Sequence, residues 1–163
     1  MVRRQIRSYD TTLALADEAA TRHCASRLAD VLTGGDVIGL SGDLGSGKTT
    51  FARALIRALG GDEEVPSPTF TLVQTYRLTR AEVWHFDLYR VERPEDIAEL
   101  GLEEALAGGI ALIEWPERAG DLLPDDRLDL SFGFAAAAGG RTLAVTGMGA
   151  RGQALAKSLG EAS

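Results

Sequence analysis

Val37-Ile38-Gly39-Leu40-Ser41-Gly42-Asp43-Leu44-Gly45-Ser46-Gly47-Lys48-Thr49-Thr50 is the stretch that decides how this chain folds. Val37 to Ser41 is a compact apolar run bounded by glycines, as expected of a buried parallel strand. Thr49 to Leu59 reads as a helix with Phe51, Leu55 and Leu59 on one face, and Gly60-Gly61 stops it. Between strand and helix, Gly42 to Thr49 fits GxxxxGK[ST] without a mismatch. Glycines at these positions let the backbone curl so that the N–H groups of Asp43, Leu44, Gly45, Ser46 and Gly47 turn toward phosphate oxygens. The helix adds the positive end of its dipole. In that setting Lys48 would reach the β- and γ-phosphates of a nucleotide, the Thr49 hydroxyl would ligate Mg²⁺, and Thr50 is a second hydroxyl nearby. A chance match in a chain this long has odds on the order of 1 in 100 from average residue usage, and the flanking strand and helix reduce them further.

Working outward, Thr12 to Ala16 reads as a short strand, and Asp17 as the N-cap of a helix running to about Leu32 before Gly34-Gly35. Thr69 to Tyr76 and Glu82 to Asp87 are strand-like, Glu95 to Ala107 is an acidic amphipathic helix, and Ile110 to Ile113 is a short buried strand. Arg127 to Phe134 and Arg141 to Thr146 read as a closing hairpin around the Ala135–Gly140 turn, followed by a weak helix from Gln153 to Leu159. This order implies an α/β protein: a P-loop-type, mixed but mainly parallel sheet flanked by helices, with a C-terminal β-hairpin. The expectation is one domain over residues 1–163, with about 151–163 as a tail or weak helix.

Composition narrows the function classes. The chain has 163 residues, 45% of them apolar and 25% charged, which suits a folded core rather than a disordered polymer. One cysteine and two histidines cannot build a disulfide framework or a structural zinc site within one chain, and there is no signal-peptide core and no membrane-length apolar run. A reduced, cytoplasmic protein without membrane association is expected. The net charge of -7 disfavours direct DNA or RNA binding, which rests on clustered Lys and Arg. The absence of asparagine removes the Asn-Lys-x-Asp guanine reader, so ATP is expected ahead of GTP.

Three further segments carry candidate chemistry. Ile110 to Ile113 ends in Glu114, a carboxylate at the crevice of an open α/β sheet that would hold Mg²⁺ directly or through water; the plain alternative is a solvated strand-end acid. Next to it, Trp115 points away from Glu114 if the strand continues, but Pro116 makes a turn at the rim the expectation. Ser67-Pro68-Thr69 could close on the γ-phosphate or its metal, although spacing alone favours an ordinary turn. In His85-Phe86-Asp87-Leu88-Tyr89-Arg90, His85 and Asp87 share one face of a strand. Asp87 could position an attacking water, held by Arg90 or His85, or else His85 and Asp87 are a satisfied structural pair. His23 and Cys24 have no clustered partners and read as packing residues.

Taken in order, these segments resemble the TsaE family (also called YjeE), small bacterial ATPases of threonylcarbamoyl-adenosine (t6A) modification of tRNA. The resemblance runs from about Asp17 to Arg141. It rests on Gly-Asp-Leu-Gly-Ser-Gly-Lys-Thr-Thr at 42 to 50, Ser-Pro-Thr-Phe-Thr-Leu-Val at 67 to 73, His-Phe-Asp-Leu-Tyr-Arg at 85 to 90 and Ile-Glu-Trp-Pro-Glu at 113 to 117. It implies ATP and Mg²⁺ at Lys48, Thr49 and Glu114, a switch-like Ser67/Thr69, Asp87 acting in hydrolysis and Arg141 approaching the nucleotide. It also implies work through a TsaD–TsaB complex, with tRNA met indirectly. The resemblance does not extend to Arg151 to Ser163, whose function it leaves open. The competing readings are a P-loop kinase acting on a small metabolite and a nucleotide-gated binding module.

Overall fold

The structure is a computed structural model; it describes residues 7–61, 72–135 and 140–160. Seven strands form one sheet: β1 (Ser8–Leu15), β2 (Val37–Ser41), β3 (Val73–Arg77), β4 (Glu82–Asp87), β5 (Ile110–Glu114), β6 (Arg127–Phe134) and β7 (Arg141–Met148), in the spatial order β1-β7-β6-β2-β5-β4-β3. β4, β5, β2 and β6 run parallel at the centre, β3 adds antiparallel to β4, and β7 and β1 add antiparallel beyond β6. The sheet is therefore mixed with a parallel core flanked by helices. Because β2 lies between β5 and β6, its carboxyl end opens into a crevice where ligands of such sheets bind.

Helices α1 (Glu18–Ala29) and α2 (Lys48–Ala58) cover one face, where Leu28, Ile38, Leu40, Phe51, Leu55, Ile56, Ile110 and Leu112 make the larger core. The other face is covered by α3 (Pro94–Ala98) and α4 (Leu102–Gly108), packed through Ile97, Leu102 and Ala105 onto Val37, Phe86, Ala111 and Ile113. The alternation along β4 and β5 puts His85, Asp87 and Glu114 on the α1/α2 face with Val83 and Leu112. Fully buried strands such as β5 read as unbroken apolar runs for this reason.

Several elements differ from their expected extents. Asp17 is the N-cap, with Oδ1 accepting from the Ala20 N–H at 2.8 Å, but α1 ends at Ala29 and only a turn carries the chain on to buried Leu32. Expected as one helix over Glu95 to Ala107, the acidic segment is two, broken at Gly101 with φ of 89°. A Cβ there would lie 2.9 Å from the Trp84 ring, so tertiary packing sets the break. β1 starts earlier than expected and ends at Leu15.

The C-terminal segment departs furthest. In place of a weak helix over Gln153–Leu159, α5 spans Gly149–Gly160 and buries Leu155, Ala156 and Leu159 against β1, β6 and β7. Its backbone sits directly on the sheet: a Cβ on Gly152 would come within 2.3 Å of the Arg127 carbonyl. Arg151 pairs with buried Asp36 at the start of β2, Nε to Oδ1 and Nη2 to Oδ2, both at 2.8 Å. At the other end Arg27 donates to the Ser158 and Leu159 carbonyls, satisfying the last turn of α5 and complementing its dipole.

Candidate functional site

Gly42, Gly45 and Gly47 have φ of 135°, 78° and 113°, so the loop between β2 and α2 follows a path that other residues would take only under strain. At Gly42 the space is closed as well, since a Cβ would lie 2.5 Å from the Phe132 carbonyl oxygen. Gly47 is the N-cap of α2, and Ser46 N–H donates to the Asp43 carbonyl at 3.1 Å, which tightens the curl. The first-turn N–H groups of α2 have no acceptors within the helix and face the loop's concavity. Leu44, at the tip, is 65% exposed, and Ser46 Oγ is buried without a hydrogen-bond partner.

Lys48 is buried. Its ammonium donates to the carbonyls of Gly42 and Asp43, the latter at 3.0 Å, and lies 4.4 Å from the centre of the Trp115 ring. Burial pushes the lysine below its ordinary value, with the negative charges of Glu114, Asp87, Glu117 and Asp43 pulling the other way. Trp115 reaches this position because the strand does not continue: φ is 61°, Pro116 follows, and Pro116 to Arg118 is a 3-10 turn. The indole thus faces the loop lysine and packs on Tyr89 at 4.9 Å between ring centres.

Glu114 is the centre of the polar arrangement. Its Oε1 accepts from the Thr49 hydroxyl at 2.8 Å, and its Oε2 is 2.7 Å from His85 Nε2. The solvated strand-end alternative is excluded, since Glu114 is 2% exposed. The paired reading of His85 and Asp87 gives way too: His85 bonds Glu114, while Asp87 Oδ1 accepts from the Tyr89 backbone N–H at 3.1 Å. Asp87 and Glu114 are register partners across β4 and β5, so both carboxylates stand at the crevice.

These groups line a cleft of about 320 Å³ with Leu44, Gly45, Gly47, Lys48, Thr49, Thr50, Asp87, Tyr89, Arg90, Glu114, Trp115 and Arg141 around it. Arg90 lines it. A second hollow of about 270 Å³ opens behind the loop between Asp17, Thr21, Ser46, Thr50, Phe132 and Arg141. Arg141 stands between the two, stacked on Phe134 at 4.7 Å, with a guanidinium N–H 3.5 Å from the Gly45 carbonyl. Thr69 and Ser67 lie outside the described residues. Tyr89 and the contact of His85 with Glu114 are what a reading of motifs misses; only the pairing of β4 with β5 brings them in.

Among the described residues no group of three or more His, Cys, Asp and Glu is placed to hold a metal by itself. The oxygen set of Thr49 and Glu114 suits Mg²⁺, which takes one or two protein oxygens and completes its shell with phosphate and water. Also among the described residues, no helix is long and apolar enough to cross a membrane.

Comparison with known proteins agrees with this geometry. The family model described as "Threonylcarbamoyl adenosine biosynthesis protein TsaE" matches residues 15–142. The tRNA threonylcarbamoyladenosine biosynthesis protein TsaE of Rickettsia felis is 43% identical over 120 residues, covering 73% of this chain and 70% of that protein. Its Bacillus subtilis counterpart is 39% identical over 111 residues, covering 68% and 69%. The crystal structure of Bacillus subtilis YdiB superposes with a TM-score of 0.79 at 28% identity, covering 98% of this chain and 99% of that one. With the family match spanning the sheet's centre, the glycine loop and every residue of the cleft described above, the chain belongs to the TsaE family.

Proposed function

We propose that this chain is a cytoplasmic, Mg²⁺-dependent ATP-hydrolysing protein that supports t6A modification of tRNA by working with a TsaD–TsaB complex, its residues 1–163 acting as one P-loop unit. The observation that carries the reading is the joining of Lys48, Thr49 and Glu114 within one cleft at the carboxyl end of β2. The names of the relatives support the pathway.

In this reading the loop N–H groups and the first turn of α2 bind the phosphates, and Lys48 exchanges its two carbonyl acceptors for phosphate oxygens. Mg²⁺, when bound, adds positive charge where the transferred phosphoryl group gathers negative charge. Thr49 and Glu114 would hold it. Asp87, with one oxygen tied to the Tyr89 backbone, has its other oxygen available to orient a water at the cleft. Arg141 would approach from the β7 side. The motifs assign no arginine as a transition-state finger, a part that can be worth roughly 10³ to 10⁵ in rate, and slow turnover by the isolated chain is expected, with Arg90 at the cleft as the internal candidate.

The test is ATP turnover by the full chain with and without TsaD and TsaB. Turnover should rise with the partners and exceed GTP turnover. Lys48→Ala should abolish nucleotide binding while circular dichroism stays that of the wild type; full turnover by folded Lys48→Ala protein would refute the reading.

A further inference from the structure

We infer that His85 is a positioning residue that sets the orientation of Glu114, and through it of the Thr49 hydroxyl, toward the metal; the inference rests on the Mg²⁺ reading of this pair. His85 has no exposed surface, and its Nε2 meets Glu114 Oε2 at 2.7 Å. An ionised carboxylate only accepts, so the ring proton belongs on Nε2, which donates. Nδ1 agrees with that assignment: it is buried with no hydrogen-bond partner among the described residues, and a bare acceptor is tolerated in the interior more often than a bare N–H. The ring therefore spends its one donor on Glu114.

Both carboxylate oxygens are then occupied by groups on different elements, Oε2 by His85 on β4 and Oε1 by Thr49 on α2. This fixes the carboxylate plane. It also fixes Thr49, whose hydroxyl proton is directed at Oε1, leaving its lone pairs for the cleft. The strand register makes the arrangement rigid: His85 is opposite Leu112 and Asp87 opposite Glu114, so the imidazole sits one pair deeper in the sheet, beneath the carboxylate. Remove the ring, and a buried carboxylate oxygen loses its donor and the side chain is free to turn. Outer-shell hydrogen bonds of this kind are worth roughly 10- to 100-fold in metal affinity.

The experiment is calorimetric titration of the full chain with ADP, in Mg²⁺ and in EDTA, for wild type, His85→Leu, His85→Gln and His85→Asn. In the wild type, Mg²⁺ should strengthen ADP binding. In His85→Leu that gain should shrink by about 10-fold or more while affinity in EDTA is unchanged. Glutamine, whose amide nitrogen falls where Nε2 was, should restore most of the gain, and asparagine, whose amide falls short, should not. The Gln/Asn pair decides the matter if His85→Leu fails to fold. An undiminished Mg²⁺ gain in His85→Leu, or equal gains in Gln and Asn, would overturn the positioning role alone. A wild type indifferent to Mg²⁺ would overturn the metal reading of Thr49 and Glu114, and this role with it.

Discussion

Two buried carboxylates, each paired with a basic side chain, sit at opposite ends of the parallel strands, and they are built differently. At the amino end, Asp36 is saturated: it takes both forks of Arg151 at 2.8 Å and the Thr33 backbone N–H at 2.8 Å. At the carboxyl end, the Glu114 oxygens are each held once, His85 Nδ1 has no partner, and the Lys48 ammonium leans on carbonyls and an indole. A pair that only holds a fold together satisfies its polar groups, because each one left unpaired in the interior costs about 1–3 kcal/mol. The incompletely satisfied end is the one with the cleft. Its groups are arranged for something that arrives.

The sharpest way to break this contrast is to remove one acid from each end. Glu114→Ala should lower Mg²⁺-dependent hydrolysis by about 10²-fold or more, the scale of the several kcal/mol that a metal's charge supplies, while nucleotide binding in EDTA persists. If Glu114→Ala kept full Mg²⁺-dependent turnover, the metal side of the site would pass to Asp87. At the other end, Asp36→Ala should leave turnover per folded molecule alone and cost stability, measured by urea unfolding. A fully buried pair broken on one side costs roughly 3–5 kcal/mol, and the 41% exposure of Arg151 brings the expectation here to about 2–3 kcal/mol. A turnover defect in Asp36→Ala at unchanged stability would erase the distinction between the ends.

How much of this could be read from the sequence follows the distance over which each feature is decided. The glycine loop was legible because strand, curl and helix are contiguous from Val37 to Ala58, and so was the acid closing β5. The break at Gly101 was not, since it answers to Trp84 on a neighbouring strand. Nor was α5: three glycines in GARGQALAKSLG weaken its intrinsic propensity, and the close seat of Gly152 on Arg127 of β6 is a tertiary fact that no local pattern contains. The partner of His85 needed the register of β4 with β5, which no local pattern contains; the alternation that put His85 and Asp87 on one face was correct, yet it left the acid across the sheet out of view. Trp115 was placed at a turn by Pro116, but that the indole would cover Lys48 is a tertiary fact.

A smaller effect separates function from stability at Lys48 itself. Burial holds its ammonium below the ordinary 10.5, so the charged form penalises the folded state. The sign follows: the penalty is complete at pH values below the lowered folded value, and it fades as pH rises from there to 10.5, where the unfolded chain also gives up its proton. Lys48→Met, which fills similar space without the charge, should therefore be at least as stable as wild type at pH 7. Its advantage should shrink as pH approaches 10.5, while nucleotide binding is lost throughout. Thermal melts across pH 7 to 10.5 would show it, and a variant less stable than wild type at pH 7 would mean that the carbonyl and indole contacts outweigh the burial of the charge.

The smallest expected effect belongs to the structural half. Cys24 on α1 is buried, and burial pushes its thiol up to about 11 from 9.0, with Arg27 opposing. In the native protein it should react slowly with a thiol reagent at pH 8 and fully in denaturant, because the thiolate is the reactive form and burial disfavours it. The linked stability has a definite sign. The unfolded thiol loses its proton near 9.0 and the folded one near 11, so between those values the folded state holds more protons and stability falls as pH rises. One group can contribute a slope of at most about 1.4 kcal/mol per pH unit. Cys24→Ala lacks that slope, so the difference between wild-type and variant unfolding free energies should be flat below pH 9 and should close progressively above it, the other titrating groups being common to both chains. Rapid labelling of native Cys24 at pH 8 would show that the α1 face opens readily, and would move the boundary between the rigid half and the responsive half away from the cleft.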